Sequence, residues 1–182
     1  MQTIERINEL YNFLTPVDEN KDFSTYFVYG TKKSFARALF AAELYKINQV
    51  PVVVSDKDVV DEYVKVLKEG GLKDFDIFEE SKGSNFVENS FNSISVAKEN
   101  NLSLDKVGLV SASLVALRAQ LMTQLFLTKE FIVCSLPVET DSVNPFDDPT
   151  SFDNWFKYDK GVSVFLSEIV KLYFLKKFRV LN

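Results

Sequence analysis

Apolar and polar residues follow two different periods along this chain. Five short runs are apolar at nearly every position: residues 26–29, 50–54, 76–78, 107–110 and 131–134. The longer segments between them carry apolar residues at intervals of three and four, which is the spacing of one face of an α-helix. Since short runs that are apolar throughout are typical of strands covered on both faces, the pattern predicts five buried strands alternating with amphipathic helices.

The predicted helices cover residues 59–69, 86–100, 114–127 and 162–178, with one more after Ser34 and a short lead helix within residues 1–20. Ser34 can cap its helix, and Asp56 or Asp58 can cap the helix over 59–69, which should stop at Gly70 and Gly71. The expected buried stripes, in chain order, are Ile4, Ile7, Tyr11 and Leu14; Phe35, Leu39, Ala42 and Leu44; Val87, Phe91, Ile94 and Ala97; Leu117, Leu121 and Leu125; and Phe165, Ile169, Leu172 and Tyr173.

This alternation predicts a single α/β domain over residues 1–182. The expected architecture is a Rossmann-like three-layer α/β/α sandwich around a parallel five-stranded sheet, with strand order 3-2-1-4-5 by analogy with other doubly wound sheets. Because parallel strands are joined by right-handed crossovers, the loops after all five strands should gather at one edge. Ligands bind beyond the carboxyl ends of such strands, so the functional site is expected there.

Composition narrows the functional classes. The 182 residues carry a net charge of −5 and no basic tract, which argues against non-specific binding of nucleic acid. No stretch approaches the roughly 20 apolar residues of a membrane span, and the charged N-terminus resembles no targeting signal, so we expect a cytoplasmic protein without membrane contact. The chain has no histidine and only one cysteine, Cys134, which excludes His-based catalysis and metal sites as well as thiolate metal clusters. We therefore expect no structural metal, and Cys134 is expected to be a buried strand thiol.

Two arginines lie near the start of predicted helices, where the helix dipole disfavours a positive charge. Arg37 follows the first strand and Arg118 follows the fourth, so both are expected at the carboxyl edge of the sheet. A cation at a helix N-terminus loses about 0.3–1 kcal/mol, which indicates a negative group nearby. That group is either an anionic or nucleotide ligand or a carboxylate such as Glu80 or Glu88; solvent exposure of the arginines is the remaining alternative.

The loop after the third strand contains a dense polar sequence, EESKGSNFVEN, over residues 79–89. Asn85 followed by Glu88 is a capping-box arrangement, in which Asn85 caps the helix and Glu88 reaches back to the N–H of Asn85. Capping explains these two residues without any ligand, but it does not explain Glu80 or Asn89 as well. The expected ligand-binding set at this edge is Gly30, Arg37, Ser55, Glu80, Asn85, Glu88, Asn89, Ser111 and Arg118.

The same loop resembles the signature of the YdcF/SanA/ElyC-like family, a domain of unknown function whose pattern is close to E-x-x-S-x-N-T-x-E-N. The chain keeps Glu80, Asn85, Glu88 and Asn89, and has Gly83 where the family usually has serine. The stretches YFVYG, ELYKINQVPVVVS, LVSASLVALRAQL and WFKYDKGVSVFLSEIVKLYF resemble other family segments, so the likeness covers nearly the whole chain. It places the family arginine at Arg118.

The departures from the family pattern concern the glycine loop and a histidine. Asp56 and Lys57 stand where the family has two glycines, and Val115 stands where envelope members carry histidine. The resemblance is nearer to the cytosolic branch, which lacks that histidine and the membrane anchor and is associated with S-adenosylmethionine, so this cofactor is what the resemblance implies. The absence of these two glycines favours the view that this chain has lost whatever catalytic activity the family has.

The segment 137–160 shows no clear period, and loops of this length often act as lids. We expect it to fold over the carboxyl edge and to bring Trp155 near the site, where Trp155, Phe152 or Phe156 could stack on an adenine or simply plug the end of the core. Asp147, Asp148 and Asp153 match no EF-hand spacing, so solvated charges are favoured over a Mg²⁺ or Ca²⁺ site.

Three functional hypotheses remain open from the sequence. The first is a protein that binds a nucleotide-like small molecule, such as S-adenosylmethionine. The second is an enzyme on an anionic small substrate, with Glu80 or Glu88 as base and Arg118 as electrostatic stabiliser. The third is a pseudo-enzyme that acts through protein partners. The sequence identifies neither a catalytic residue nor an oligomeric state.

Overall fold

The central element is a five-stranded sheet in which all neighbouring strands are parallel. A computed structural model describes residues 9, 11–17, 22–32, 34–127, 130–138 and 159–177. The strands are β1 (Thr25–Tyr29), β2 (Val52–Ser55), β3 (Ile77–Glu80), β4 (Lys106–Ala112) and β5 (Ile132–Val138). Their order is β3-β2-β1-β4-β5, which confirms the predicted α/β class and strand order.

Five helices alternate with or follow these strands in the described ranges. They are α1 (Ala36–Ile47), α2 (Val60–Glu69), α3 (Phe86–Glu99), α4 (Ala116–Phe126) and α5 (Asp159–Lys177). Short 3-10 turns, Asp74–Asp76 and Ser113–Val115, precede β3 and α4. No helix of the described segments combines the length and the apolar character needed to cross a membrane.

The core has two layers, because side chains alternate between the two faces of each strand. Tyr26, Val28 and Val54 pack with α1 and α2 on one face. Phe27, Tyr29, Val53 and Leu109 face the other side, where Ile94 of α3 and Ala119 of α4 cover them. The sheet is therefore buried on both faces, which explains why its strands lack the polar alternation of a half-exposed sheet.

The predicted helix stripes were wrong in phase at several positions. The large side chains of Phe35, Leu39, Val87, Phe91, Leu125 and Tyr173 are exposed, although Ile94, Ala97 and Phe165 are buried as predicted. Ala42 and Leu44 of α1 are also buried as predicted, and small residues hold many of the other inner positions: Ala38 and Ala41 in α1, Ser90 and Ser93 in α3, and Ala116, Ala119 and Thr123 in α4. Small side chains let a helix approach the sheet closely, so the largest apolar residues are displaced to the rim.

Helix ends agree with the sequence in part. The two-glycine stop of α2 is confirmed, with Gly71 at φ +100° in the left-handed region. Neither Asp56 nor Asp58 caps α2, since the residue at the cap is Val59 and Asp56 Oδ1 instead accepts the N–H of Asp58 at 2.9 Å. The residue at the cap of α1 is Phe35 rather than the predicted Ser34, whose hydroxyl accepts the N–H of Ala36 at 3.1 Å.

Two predicted segments lie wholly or largely outside the described residues. Residues 11–14 of the lead helix are helical, with Tyr11 and Leu14 buried, whereas Ile4 and Ile7 lie outside the description. Of the segment 137–160, residues 139–158 lie outside it as well. The predictions for Trp155, Phe152 and Phe156 and for the aspartates 147, 148 and 153 therefore stay predictions.

Candidate functional site

A cleft of about 280 Å³ opens at the carboxyl ends of β1 and β4. From β1 the chain builds β2 and β3 on one side of the sheet, and then returns through α3 to build β4 and β5 on the other. The cleft thus lies at the topological switch point, where ligands bind in doubly wound sheets. Its lining residues are Tyr29, Gly30, Thr31, Arg37, Asp56, Ser84, Asn85, Phe86, Asn89, Ala112 and Val115.

Gly30 ends β1 where the backbone passes close to the loop after β2. A Cβ at this position would lie 2.7 Å from Val59 Cγ2 and 3.1 Å from the Cβ of Asp56. The N–H of Gly30 donates to the carbonyl of Ser55 at 2.9 Å. Glycine is therefore required for packing at the wall of the cleft, independently of any ligand.

Arg37 lies buried at the second position of α1 and lines the cleft. Its Nη1 donates to the carbonyl of Tyr29 at 2.6 Å and to that of Gly30 at 3.2 Å. These carbonyls at the end of β1 supply part of the negative charge expected near this arginine. Arg37 thus holds the end of β1 in place, in addition to its position in the cleft wall.

Glu80 is the central acceptor of the loop between β3 and α3, and only 2% of it is exposed. Its Oε1 accepts the N–H groups of Lys82 (2.7 Å) and Gly83 (2.9 Å) and the side-chain amide of Asn92 (3.1 Å). Its Oε2 accepts the hydroxyl of Ser55 at 2.5 Å. Glu80 and Ser55 therefore tie the loop to the end of β2, and neither lines the cleft.

Asn85 and Glu88 hold the N-terminus of α3, as the capping alternative anticipated. Asn85 is the N-cap, and its Oδ1 accepts the N–H groups of Val87 and Glu88, each at 3.1 Å. Glu88 departs from the expected capping box, because its Oε2 accepts the N–H (2.9 Å) and the hydroxyl (2.7 Å) of Ser84 rather than the N–H of Asn85. The Ser84 hydroxyl is the main reason that the pKa of Glu88 is lowered, although this carboxylate is fully exposed.

Gly83 and Asn89 interlock inside the same loop. The side-chain amide of the buried Asn89 is assigned with its nitrogen toward the loop, because only that orientation lets it donate to the carbonyls of Gly83 (3.3 Å) and Asn85 (3.2 Å). A Cβ on Gly83 would lie 2.1 Å from that amide and 2.8 Å from Oε2 of Glu80. The glycine that stands where the related pattern has serine is thus a steric requirement of this loop.

Arg118 is paired with a carboxylate that the sequence did not single out. Its Nε and Nη2 donate to Glu168 of α5 at 2.5 and 3.2 Å, and Lys171 donates to the same carboxylate at 2.7 Å. Neither Glu80 nor Glu88 is its partner in these bonds. Glu168 is only 2% exposed, so this buried pair joins α4 to α5.

The guanidinium of Arg118 also stacks on an aromatic ring of the cleft wall. Its Cζ lies 4.4 Å from the ring centroid of Phe86, the first residue of α3. The ring of Tyr29 packs against Phe86 from another direction, with centroids 6.0 Å apart. Arg118 itself does not line the cleft, and it touches the site through Phe86.

Tyr29 and Ser111 lie near the carboxyl ends of the neighbouring strands β1 and β4. The Tyr29 hydroxyl bonds to Ser90 (3.0 Å) and Thr123 (2.9 Å), and burial raises its pKa to about 12. Ser111 is fully buried, and its hydroxyl makes no hydrogen bond within the part of the chain that the structure describes. Ser111 is not among the residues that line the cleft.

The structure brings four of the nine expected residues into one cleft: Gly30, Arg37, Asn85 and Asn89. The other lining residues were missed, chiefly Tyr29, Phe86, Asp56 and Ala112. Tyr29 was assigned only to a strand and Phe86 only to the start of a helix. Their positions, immediately before Gly30 and after Asn85, were the available signal that they share this edge.

A second cavity of about 230 Å³ lies beside the outer strand β3. Six of its seven lining residues are polar or charged, and three of them are glutamates: Glu79, Glu80, Lys82, Asn92, Ser95, Val96 and Glu99. In the described ranges, no three carboxylate or thiol side chains are grouped so that they could hold a metal ion. Cys134 lies within β5, buried and not in a disulfide, as expected for a strand thiol.

Comparison of this chain with models of known protein families finds no match, and a search of curated proteins finds none either. The fold is shown by the sheet itself.

Proposed function

We propose that this protein binds a compact, nucleoside-like small molecule in the cleft at the carboxyl ends of β1 and β4. The observation that carries the proposal is the position of the cleft at the switch point of a doubly wound sheet. Its volume of about 280 Å³ is close to the lower end of the range of about 300–1,000 Å³ for ligand pockets. A nucleoside or its derivative fits this class better than a large cofactor.

The lining supports a ligand that combines an apolar ring with polar edges. Phe86, Ala112 and Val115 supply apolar surface, while Thr31 and Asp56 supply polar atoms. Such a mixture is typical of small-molecule sites, where a few polar groups orient a largely apolar contact. Asp56 also provides a carboxylate just after the carboxyl end of β2, and a carboxylate can accept hydrogen bonds from ribose hydroxyls.

The charge of the lining favours a ligand with little net negative charge. Among the described lining residues the charged ones are Arg37 and Asp56, and Arg37 directs Nη1 toward the carbonyls of Tyr29 and Gly30. Such a lining offers a polyphosphate little cationic compensation. We therefore expect adenosine or S-adenosylmethionine to bind more tightly than ATP. We include S-adenosylmethionine because of the resemblance to the YdcF/SanA/ElyC-like family. That resemblance and a cytoplasmic location are themselves part of this proposal.

Binding is preferred to catalysis because the residues proposed as base and stabiliser are occupied. Glu80 accepts four hydrogen bonds from its own loop, Asn92 and Ser55, and Arg118 is paired with Glu168. Glu88 is exposed on the first turn of α3, outside the cleft lining. These contacts weigh against the enzymatic hypothesis in the form that uses these three residues.

The test is a binding screen of the full chain with adenosine, AMP, ATP, S-adenosylmethionine and S-adenosylhomocysteine. A probe at 100 times its Kd should raise the free energy of unfolding by about 2.7 kcal/mol. Ala112→Phe, which fills the cleft, should abolish that gain, whereas Ser95→Phe in the second cavity should leave it unchanged. The proposal fails if no probe stabilises the protein, or if Ala112→Phe binds as tightly as the original chain.

A further inference from the structure

Phe86 is a half-buried aromatic residue of the cleft wall, and other residues of the protein contact both its backbone and its ring. Its own carbonyl accepts the hydroxyl of Ser90 at 2.6 Å, and Ser90 is bonded in turn to Tyr29 and Thr123. The Tyr29 ring packs against it as well, at 6.0 Å between centroids. Backbone and ring are thus both fixed before any ligand arrives.

Arg118 covers part of this ring without being available to an anion. Its guanidinium stacks on Phe86 at 4.4 Å and is held by Glu168 through two hydrogen bonds. A planar guanidinium stacks well on an aromatic face, and a paired one has its charge compensated. The arginine therefore acts on the site as packing for Phe86, which explains its place near a helix N-terminus without a bound phosphate.

The ring remains partly exposed, and it lines the cleft together with Ala112 and Val115. A phenylalanine has no polar atom that could orient a ligand, so its contribution is a flat apolar surface. Aromatic side chains of this kind bind nucleobases by stacking, which tolerates different bases because every base has a π-face. Thr31 and Asp56 supply polar atoms in the same lining.

We infer that Phe86 is the stacking platform for the planar heterocycle of the ligand, with Arg118 packed against the same ring. The inference rests on the proposed function. It adds that the ligand has an aromatic base and that Phe86 is the residue that contacts the face of this base. The stacking role falls to the first residue of α3, within the described part of the chain.

The experiment compares adenosine binding by Phe86→Leu, Phe86→Tyr and the control Phe91→Leu. Phe91 belongs to the same helix but is exposed on its outer side, against Phe126 and outside the cleft. Loss of base stacking should weaken adenosine binding about 10- to 100-fold in Phe86→Leu. Phe86→Tyr keeps the ring and should stay within about threefold of the original affinity, and Phe91→Leu should bind as the original chain does.

Nuclear magnetic resonance supplies a second measurement, which holds even if Phe86→Leu fails to fold. In the original chain, bound adenosine should show upfield ring-current shifts of its base protons and Overhauser contacts to the Phe86 ring. If adenosine binds and Ala112→Phe blocks it, but Phe86→Leu binds normally or these contacts are absent, the platform is wrong and the proposed site stands. If no nucleoside probe binds the original chain, the proposed function and the platform fail together.

Discussion

Two adjacent glutamates at the end of β3 show how differently neighbouring residues of one type are used. Glu79 is exposed, whereas Glu80 is buried and accepts hydrogen bonds from Ser55, Lys82, Gly83 and Asn92. Removing a buried acceptor leaves its donors unsatisfied, at about 1–3 kcal/mol for each group that water does not reach. The stability of the loop therefore depends on one of the two side chains.

The variant Glu80→Ala should lower the free energy of unfolding by about 3 kcal/mol, since two buried and two partly buried donors lose their acceptor at once. Glu79→Ala is the matched control, because it removes the same side chain at an exposed neighbouring position and should change stability by less than about 0.5 kcal/mol. Urea denaturation of both variants measures the difference. Equal stability of the two would show that Glu80 does not hold the loop.

At the scale of elements, α5 is joined to α4 by charge as well as by apolar contact. Phe165 packs with Leu114 beside the start of α4, and the buried Glu168 receives Arg118 and Lys171. Breaking such a pair by removing one partner is costly, because the remaining buried charge loses its compensation. The partners are unequal, since Arg118 is largely buried and Lys171 is exposed.

Removing Arg118 should therefore destabilise the protein, with or without a ligand. Arg118→Ala should cost about 2–4 kcal/mol, less than a fully stranded carboxylate because Lys171 still contacts Glu168. The double variant Arg118→Ala with Glu168→Ala should lose less than the sum of the single changes, by about 1–3 kcal/mol.

Lys171→Ala serves as the control for the exposed partner and should change stability by less than about 1 kcal/mol. Denaturant unfolding of the original chain, Arg118→Ala, Glu168→Ala and the double variant gives the coupling energy of the pair directly. Additive single and double changes would mean that the pair contributes no interaction of its own. If the Arg118→Ala protein were as stable as the original chain, the ion pair would not explain Arg118, and ligand binding would again be the favoured explanation.

At the scale of the whole molecule, the parallel order β3-β2-β1-β4-β5 decides where distant segments meet. The ends of β1, β2 and β4 and the start of α3 come from loops spread over more than eighty residues, yet they line one cleft. Apolar packing on both faces of the sheet and hydrogen bonds within the loops hold these segments together. Within the described part of the chain, no cluster of three carboxylate or thiol side chains that could hold a metal ion contributes to this architecture.

Removal of divalent metals should accordingly leave the fold intact. We expect elemental analysis of the purified protein to show no stoichiometric zinc or iron, since the chain has no histidine and a single cysteine. A chelator should leave the denaturation midpoint unchanged, and added zinc should not raise it. Near-stoichiometric zinc, or unfolding by the chelator, would contradict this expectation.

The local signals of the sequence were sufficient to predict strands, helix order and one cap. Runs such as residues 107–110 are apolar at every position, so their burial on both faces follows from composition alone. Asn85 was predicted as a cap because its short polar side chain competes for the first N–H groups of a helix, an interaction within three residues. Such interactions need no knowledge of the rest of the fold.

The tertiary structure decided which helix faces turn inward and which charges pair. Leu39 and Phe91 were expected inside from the helical spacing of apolar residues, but close approach to the sheet selects Ala38 and Ser90, and this depends on the distance between layers. Arg118 was correctly expected near a negative group, yet its partner Glu168 lies fifty residues away on another helix. The position of Arg118 over Phe86 likewise follows from packing between different helices. A pattern along the chain could therefore indicate that the site lies at the carboxyl edge of the sheet, but it could not indicate that Phe86 forms part of the wall.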